Sequence, residues 1–431
     1  MKPEISELMG VLRAGRAHYA DFDVAVIAGM ILEDMAHGLK GRGGSLEMIP
    51  SHVGPVERIP ADEPVIVVDA GGTNLRSAIV RFDVSGEAHV ECVVKRTMPG
   101  VEREVDKDAF FDSLADSVTE VAGRSKRIGF CFSYSMSMQP DRDGRLIRFC
   151  KEIKAHGVVG RLVGAELVEA LRRRGLGAGW KVTVLNDAVA ALMAGTRSSA
   201  RPHGSSAGFI LGTGMNASYL ESDIPKLGGS VAPQAVVLEA GGFDCPLRGE
   251  LDASFDRTTM DPGFYTYEKM FSGGYLGPLA LHILKHLGRL GFFSPRQREA
   301  IFGASRIETV DVAAFLARPL DATLPLRRAL EMEDADDIAL ARAVVDVLVE
   351  RASRLAAAVM AAVAIKTGSG RDIASAIAIT VEGSTYHGFD DLRARIEAHL
   401  YSLLTTRMGI RYDLVSMPDS GLVGSALAGL L

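Results

Sequence analysis

The stretch VIVVDAGGTNLRSAIVRF, residues 65–82, decides how the rest of the chain is read. Val65, Ile66, Val67 and Val68 are apolar and β-favouring, the run breaks at Asp69 and at Gly71-Gly72-Thr73-Asn74, and it resumes through Ala78, Ile79 and Val80. The pattern predicts a strand, a tight turn and a second strand. Adjacent glycines remove the Cβ atoms that keep backbone N–H groups away from an anion, so the turn suits a phosphate; they equally supply the positive φ of an ordinary hairpin. Asp69 cannot bind phosphate itself, but beside such a turn it makes sense with a divalent cation between the two, bridged directly or through water. Thr73 and Asn74 add neutral donors and Arg76 adds charge. On this stretch alone both readings stand, hairpin and phosphate turn.

The 431 residues exceed the usual size of one core, which predicts two domains, and a hydrophobic content of 47% is ample for both. A net charge of -6 gives no general basic field for nucleic acid, so an anionic ligand must be held by local groups. Cys92, Cys131, Cys150 and Cys245 are widely spaced with no C-x-x-C pair, the pattern of reduced thiols rather than of a disulfide or zinc framework. MKPEISELMG lacks a charged-then-apolar signal pattern, and the longest apolar run, 355–365, is too short for a bilayer. The expectation is a cytoplasmic protein with no membrane and no nucleic-acid partner.

In chain order, residues 4–39 carry helical spacing that stops at Gly41-Arg42-Gly43-Gly44, and SLEMIPSHV is a connector. After the opening stretch come a strand at 89–97, a helix at 108–122 and a strand at 127–132, which suggests a mixed sheet covered by helices. KVTVLN, 181–186, is another apolar strand and delivers Asp187 just before the helical AVAALMAG. Residues 198–206 read as a surface loop; 207–211 then rebuild the opening pattern, with a Gly212-Thr213-Gly214 turn and a returning strand at 216–221. Two such units hint at duplicated halves. From Tyr265 onward the chain reads as mainly helical, with a long helix at 338–365, a strand at 373–381 running into Glu382-Gly383-Ser384-Thr385, and a last turn at Asp419-Ser420-Gly421 before a short terminal helix.

Glycine turns and helix N-termini offer uncommitted N–H donors, so several in one chain outline a site for an extended anion such as a nucleotide. A second set, Ser133, Lys151, Asn186, Asp187, Asn216, Glu239 and Glu268, carries the donors and acceptors that a polyhydroxyl ligand requires. Singly, Asn216 also fits a turn, Glu268 an exposed helix and Lys151 a solvated charge. Asp187 has two competing roles, a structural N-cap or a catalytic base.

At this point the residues resemble the hexokinase family, and the match runs along most of the chain. SLEMIPSHV resembles the segment before the family's first strand, VVDAGGTNLRSAIV its first phosphate motif and GFCFSYSMSMQPDRDGRLIRFCKEIKAHGV its sugar-binding stretch. VTVLNDAVAALMAG is similar to the segment with the catalytic aspartate, GFILGTGMNASYLE to the second phosphate motif, and LEAGGFDCPL and MDPGFYTYEKMFSGGYLG to two segments with sugar-binding glutamates. VEGSTY and DSGLVGSAL resemble the adenosine-site and C-terminal segments.

The resemblance implies an α/β, two-domain actin-like (ribonuclease H-like) fold, with mixed sheets flanked by helices and an active-site cleft between the domains. The small domain would be 63–186 with the C-terminal helix 420–431, the large domain 1–62 and 187–419, with a hinge near 59–63 and 186–188. It implies phosphoryl transfer from Mg-ATP to the 6-hydroxyl of a hexose, most directly glucose, by a monomer or homodimer. Asp187 would be the base, with Lys151 beside it in the catalytic set. Ser133, Cys150, Lys151, Asn186, Asn216, Glu239 and Glu268 would hold the sugar. Asp69 would position Mg²⁺ through water, and Gly71, Gly72, Thr73, Asn74, Arg76, Gly212, Thr213, Gly214, Gly383, Ser384 and Thr385 would surround ATP.

There are departures from the family pattern. Cys150 stands where a threonine is usual, Tyr134-Ser135 replaces Phe-Pro, and Glu152 replaces a glycine. Ala240 sits at a common tryptophan position, and Glu382 at an aspartate position. A same-fold kinase for another sugar is the alternative enzyme; a non-catalytic sugar sensor is the alternative from another class, opposed by the presence of Asp187.

Overall fold

After a two-residue strand β1 (Ile49–Pro50), the stretch that opens the sequence reading forms β2 (Val65–Gly71) and β3 (Asn74–Phe82), paired antiparallel from Val65↔Val80 to Gly71↔Asn74. Gly72 turns the chain at φ 56, which makes the connection a tight hairpin. The structure is a computed structural model, and it describes residues 4–56, 58–72, 74–149, 153–196, 203–372 and 375–431. Thr73, Cys150 and Lys151 lie outside the described residues, as do Ile373 and Ala374 at the start of the strand expected at 373–381.

The first sheet adds β4 (Ala88–Thr97) on one side of the hairpin and β5 (Arg127–Phe132) on the other. Two short antiparallel strands, β6 (Ser135–Met138) and β7 (Gly144–Arg148), stand apart, and β8 (Lys181–Leu185) completes the order β4-β3-β2-β5-β8. Because β2 is central, both of its faces are buried: Ile66 and Val68 pack under the helices Lys107–Thr119 and Val163–Arg173, while Val65 and Val67 pack under Asp187–Gly195 and Ser420–Gly429. A strand covered twice reads as an unbroken apolar run, which is what VIVV shows.

The second sheet repeats this plan. β9 (Ser205–Leu211), β10 (Met215–Ile224) and β11 (Gly229–Val237) form an antiparallel meander, and β12 (Ile377–Glu382) and β13 (Tyr412–Val415) join in parallel. The order is β1-β11-β10-β9-β12-β13. The first sheet pairs antiparallel, antiparallel, parallel, parallel, and the second shows the same run from β11 to β13 with β1 added antiparallel at its edge. The helix Ala335–Lys366 runs buried through the core behind the second sheet. The helical spacing at 4–39 resolves into Ile5–Ala14 and Val24–Leu39, with a 3₁₀ turn between them. Among the described residues, no helix is long and apolar enough to cross a membrane.

The sheets are joined through the C-terminal helix, which lies against both β5 and the helix Asp187–Gly195. Contact is close enough to require glycine on each side: a Cβ on Gly129 would come within 1.8 Å of the Ser425 carbonyl oxygen, and one on Gly424 within 1.8 Å of that of Ala190. Behind the second sheet, Arg351 is wholly buried and donates from Nη1 and Nη2 to Asp252 at 2.9 and 2.8 Å. Removing one partner leaves an uncompensated charge in the core, so Arg351→Ala is expected to cost about 3–5 kcal/mol, with Arg351→Met/Asp252→Leu recovering most of it. Denaturant titration of the three proteins checks this, and an unchanged midpoint in Arg351→Ala would show that the pair is dispensable.

Candidate active site

The parallel strands β2, β5 and β8 bring their carboxyl ends to one edge of the first sheet, where ligands of open α/β sheets gather. Asp69 near the end of β2 pairs with Cys131 of β5, whose chain continues to Ser133, and β8 runs into Asn186 and Asp187. The two explanations for Asp187 now separate. Asn186 holds the N-cap, its side chain accepting from the Ala188 N–H at 2.8 Å, and Asp187 is the first helical residue, half-buried, with Oδ1 accepting from the same N–H at 2.8 Å. The cap is thus supplied next door.

Arg76 donates to a single oxygen of Asp69, Nε at 3.0 Å and Nη2 at 2.6 Å to Oδ2, and its Nη1 lies 3.4 Å from Asp419 Oδ1. The Oδ1 oxygen of Asp69 faces the Gly71 turn, where an added Cβ would lie 3.8 Å from it and 3.2 Å from Ser133 Oγ. Tyr134 Oη donates to the Gly72 carbonyl at 3.2 Å and steadies the hairpin tip. Among the described residues no three His, Cys, Asp or Glu side chains gather as a metal cluster. A single carboxylate beside a phosphate-sized turn is nonetheless a donor set that fits Mg²⁺, which keeps its waters and takes phosphate oxygens.

Across the cleft, the second sheet supplies the polyhydroxyl-type set. Asn216 Nδ2 donates to Glu239 Oε1 at 3.0 Å, while Asn216 Oδ1 accepts from the N–H groups of Ala217 and Ala240. Glu239 is 8% exposed, its backbone is left-handed at φ 55, and Tyr265 Oη stands 3.5 Å from its Oε2. Burial first, and then the carboxylates of Glu47, Asp187 and Glu268, push its pKa up to about 7 against the opposing hydrogen bond from Asn216. Glu268 Oε2 accepts from the Met215 N–H at 3.0 Å, and Cβ atoms at Gly214 or Gly241 would come within 2.8 and 2.9 Å of that oxygen. Those glycines leave room for a carboxylate. Between the walls lies a pocket with Asn186 and Glu239 at its polar side and Ile49, Met136, Met138 and Val237 around it.

The remaining glycine turns are tied together. The Gly212 carbonyl accepts from the Gly273 N–H and from Thr385 Oγ1, both at 2.9 Å, and the Thr213 carbonyl from the Gly274 N–H and Ser272 Oγ at 2.8 and 2.9 Å. Gly383, at φ 117, lies so close that a Cβ would meet the Leu211 carbonyl oxygen at 2.3 Å. Ser384 is exposed at the start of the short helix Ser384–Gly388. The sequence reading missed Ser272, Gly273 and Gly274 as site-builders, although SGG lies inside one of its quoted segments. It also missed Tyr265, whose role depends on a backbone conformation that no local signal reveals.

A family model described as Hexokinase matches residues 206–431, and a second of the same description matches 16–196. Human Hexokinase-3 is 29% identical over 387 residues, covering 84% of this chain and 41% of the human protein, so the chain spans about two fifths of that relative's length. Hexokinase-7 of Oryza sativa subsp. japonica is 27% identical, covering 93% of this chain and 92% of its own. Among solved structures, a hexokinase from Schistosoma mansoni complexed with glucose aligns over 100% of both chains at 25% identity, with a TM-score of 0.78. That likeness makes the fold the two-domain, actin-like α/β architecture.

The buried Glu239 carboxyl generates a stability prediction. Its folded pKa of about 7 lies above the ordinary 4.5, so its contribution is fully present below pH 4.5 and is lost as pH rises through 7. Glu239→Gln removes that loss. Thermal unfolding of the sugar-free protein should find the variant more stable than wild type at pH 8, by up to about 3 kcal/mol, with the gap closing toward pH 4.5. A variant less stable at pH 8 than at pH 5, relative to wild type, would contradict the assignment.

Proposed function

The chain belongs to the hexokinase family, and we propose on that premise that it transfers the γ-phosphoryl group of ATP to the 6-hydroxyl of a hexose, most directly glucose. The observation that carries the proposal is the position of Asp187. Its carboxylate stands at the carboxyl end of β8 with the capping role taken by Asn186, and it is near enough to Glu239 to raise that group's pKa. A general base must reach the hydroxyl it deprotonates, and a cleft lined by Asn216, Glu239 and Glu268 is where hydroxyls would be held. The glucose-bound relative from Schistosoma mansoni supports the choice of sugar.

On this reading Asn216, Glu239 and Glu268, with Ser133 and Asn186 from the opposite wall, orient the hexose; Cys150 and Lys151, which the resemblance assigns to the same set, lie outside the described residues. Asp187 takes the proton of the 6-hydroxyl as that oxygen attacks the γ-phosphorus in line, the bond from that phosphorus to the β–γ bridging oxygen breaks, and ADP leaves with the bridging oxygen. ATP would lie against the turns at Gly71, Gly72 and Asn74, at Gly212, Thr213 and Gly214 and at Gly383, Ser384 and Thr385, where backbone N–H groups would hold an extended anion; Thr73, assigned to the same set by the resemblance, lies outside the described residues. Asp69 would position Mg²⁺, which would supply neutralisation of phosphate charge. Water is the competing acceptor, and a cleft between 63–186 with 420–431 on one side and 1–62 with 187–419 on the other excludes it by closing on the sugar.

A second acceptor is favoured by one feature. Cys150 stands where the family usually has a threonine, and a thiol is a poorer hydrogen-bond partner for a sugar hydroxyl, which makes a hexose other than glucose the alternative acceptor. Incubation with Mg-ATP and glucose, mannose, fructose, glucosamine and N-acylated hexosamines, with sugar phosphate as the product measured, decides between them; no product from any sugar would sink both. Asp187→Asn should lower turnover by at least about 10²–10⁴-fold while calorimetry finds sugar affinity within a few fold of wild type. Unchanged turnover would remove Asp187 from the role of base.

A further inference from the structure

Glu268 opens a 3₁₀ turn, Glu268–Met270, and the residue after it, Lys269, is turned into the protein at 3% exposure. Its Nζ donates to Asp256 Oδ1 and to the Asp261 carbonyl, both at 2.6 Å. Asp256 is buried as well; its other oxygen, Oδ2, accepts from the Gly263 N–H at 2.9 Å and lies 3.5 Å from Arg248 Nη1. Lysine and aspartate are seldom enclosed so fully, and neither belongs to the polar set assigned to the sugar.

Asp256 closes the helix Glu250–Asp256, and one helical turn earlier Asp252 receives the two Arg351 hydrogen bonds described above. Arg351 Nη2 also donates to the Met270 carbonyl at 3.3 Å. The helix is thus fixed to the core at Asp252 and holds the Glu268–Met270 turn at Asp256. Beyond the turn the chain is pinned separately, Ser272 Oγ to the Thr213 carbonyl and the Gly273 N–H to the Gly212 carbonyl. Ahead of it lies Tyr265, at φ 50, with its hydroxyl reaching toward Glu239.

A buried ion pair adds little net stability, because desolvating both charges costs about as much as their attraction returns, and apolar residues of similar volume serve as well. What this pair adds over apolar packing is direction. One ammonium and one carboxylate hold the Asp261 carbonyl and the Gly263 N–H, on either side of Pro262, and so restrict the path by which the chain enters Tyr265 and Glu268. The slot that Glu268 occupies allows little displacement, since Cβ atoms at Gly214 and Gly241 would stand 2.8 and 2.9 Å from its Oε2.

We infer that Lys269 and Asp256 are positioning residues for the hexose site, a buried strut that sets where Glu268 and Tyr265 stand on the sugar wall. Neither acts on the reacting atoms. Loss of the strut weakens the hold on the hexose and spares the Gly212–Gly214 turn, which Ser272 and Gly273 hold independently. The kinetic consequence rests on the hexose-kinase reading, whereas the effect on the segment does not.

Three variants, Lys269→Met, Asp256→Asn and Asp256→Leu/Lys269→Met, separate positioning from stability. KM for the hexose should rise about 10-fold or more in Lys269→Met and in the double variant, with kcat and KM for ATP within about threefold of wild type. Asp256→Asn, which keeps an oxygen acceptor, should fall between. Denaturant titration should find the double variant more stable than Lys269→Met, with no matching recovery of KM, because the Asp261 carbonyl and the Gly263 N–H still lack their partners. Hydrogen exchange on the sugar-free proteins should quicken over 261–268 in both, with 272–274 unchanged. A wild-type KM in Lys269→Met, a KM that recovers with stability in the double variant, or unaltered exchange over 261–268 would overturn the inference. Should Lys269→Met fail to fold, the double variant carries the test. If wild type phosphorylates no hexose, the kinase reading fails, and exchange still decides the strut.

Discussion

Glu239 carries its carboxyl group in a nearly closed environment with Glu47, Asp187 and Glu268 close enough to push its pKa up to about 7, and much of the cleft is arranged around that fact. A buried carboxylate becomes comfortable when hydrogen-bond donors surround it. Asn216 provides one, fixed by two backbone N–H groups onto its own oxygen so that its amide can point only one way. Glycines 214 and 241 clear the space in which Glu268 sits. Neutral donors of the kind that hydroxyl groups supply would stabilise the charged form of Glu239 further, and the opposing wall brings Asp187 near enough to act on the same carboxyl.

The backbone achieves that meeting by repetition. Apart from the edge strand β1 of the second, both sheets share one run of pairings, and both turn on glycines next to strand ends, Gly71-Gly72 in the first and Gly212 and Gly214 in the second. The helix Asp187–Gly195 starts at the strand-end aspartate and packs on the second sheet, with Gly424 and Gly129 allowing the C-terminal helix to wedge between it and β5. The helix Asp187–Gly195 thus packs on the second sheet as well as against the C-terminal helix, and Val65, Val67 and Leu185 of the first sheet share a core with Ala235 and Val237 of the second.

The legible parts of the sequence were those where local pattern and tertiary demand coincide. VIVV and KVTVL are apolar because both faces of β2 and much of β8 are covered, and each is followed at once by a polar residue at the cleft. Asp187 was legible as a strand-end aspartate, but that Asn186 holds the N-cap beside it was not, because capping depends on which side chain turns back to the Ala188 N–H. The β6–β7 hairpin was missed, since SMSM and GRLIR are short and carry no strand signal of their own; they gain their structure from packing Met136 and Leu146 on the neighbouring core. β11 was missed for another reason, because Pro233 interrupts its donors and half of it is exposed. Arg76 was read as a charge for phosphate, and the structure pairs it with Asp69.

The most direct test of the central claim is the proton balance of sugar binding. Calorimetric titration of glucose at pH 7, in two buffers of different ionisation enthalpy, measures protons exchanged with solvent. Hydroxyl groups donating to Glu239 stabilise its charged form, so the account predicts that binding releases a fraction of a proton and that Glu239→Gln abolishes the release. Proton uptake on binding, or a release that persists undiminished in Glu239→Gln, would contradict it.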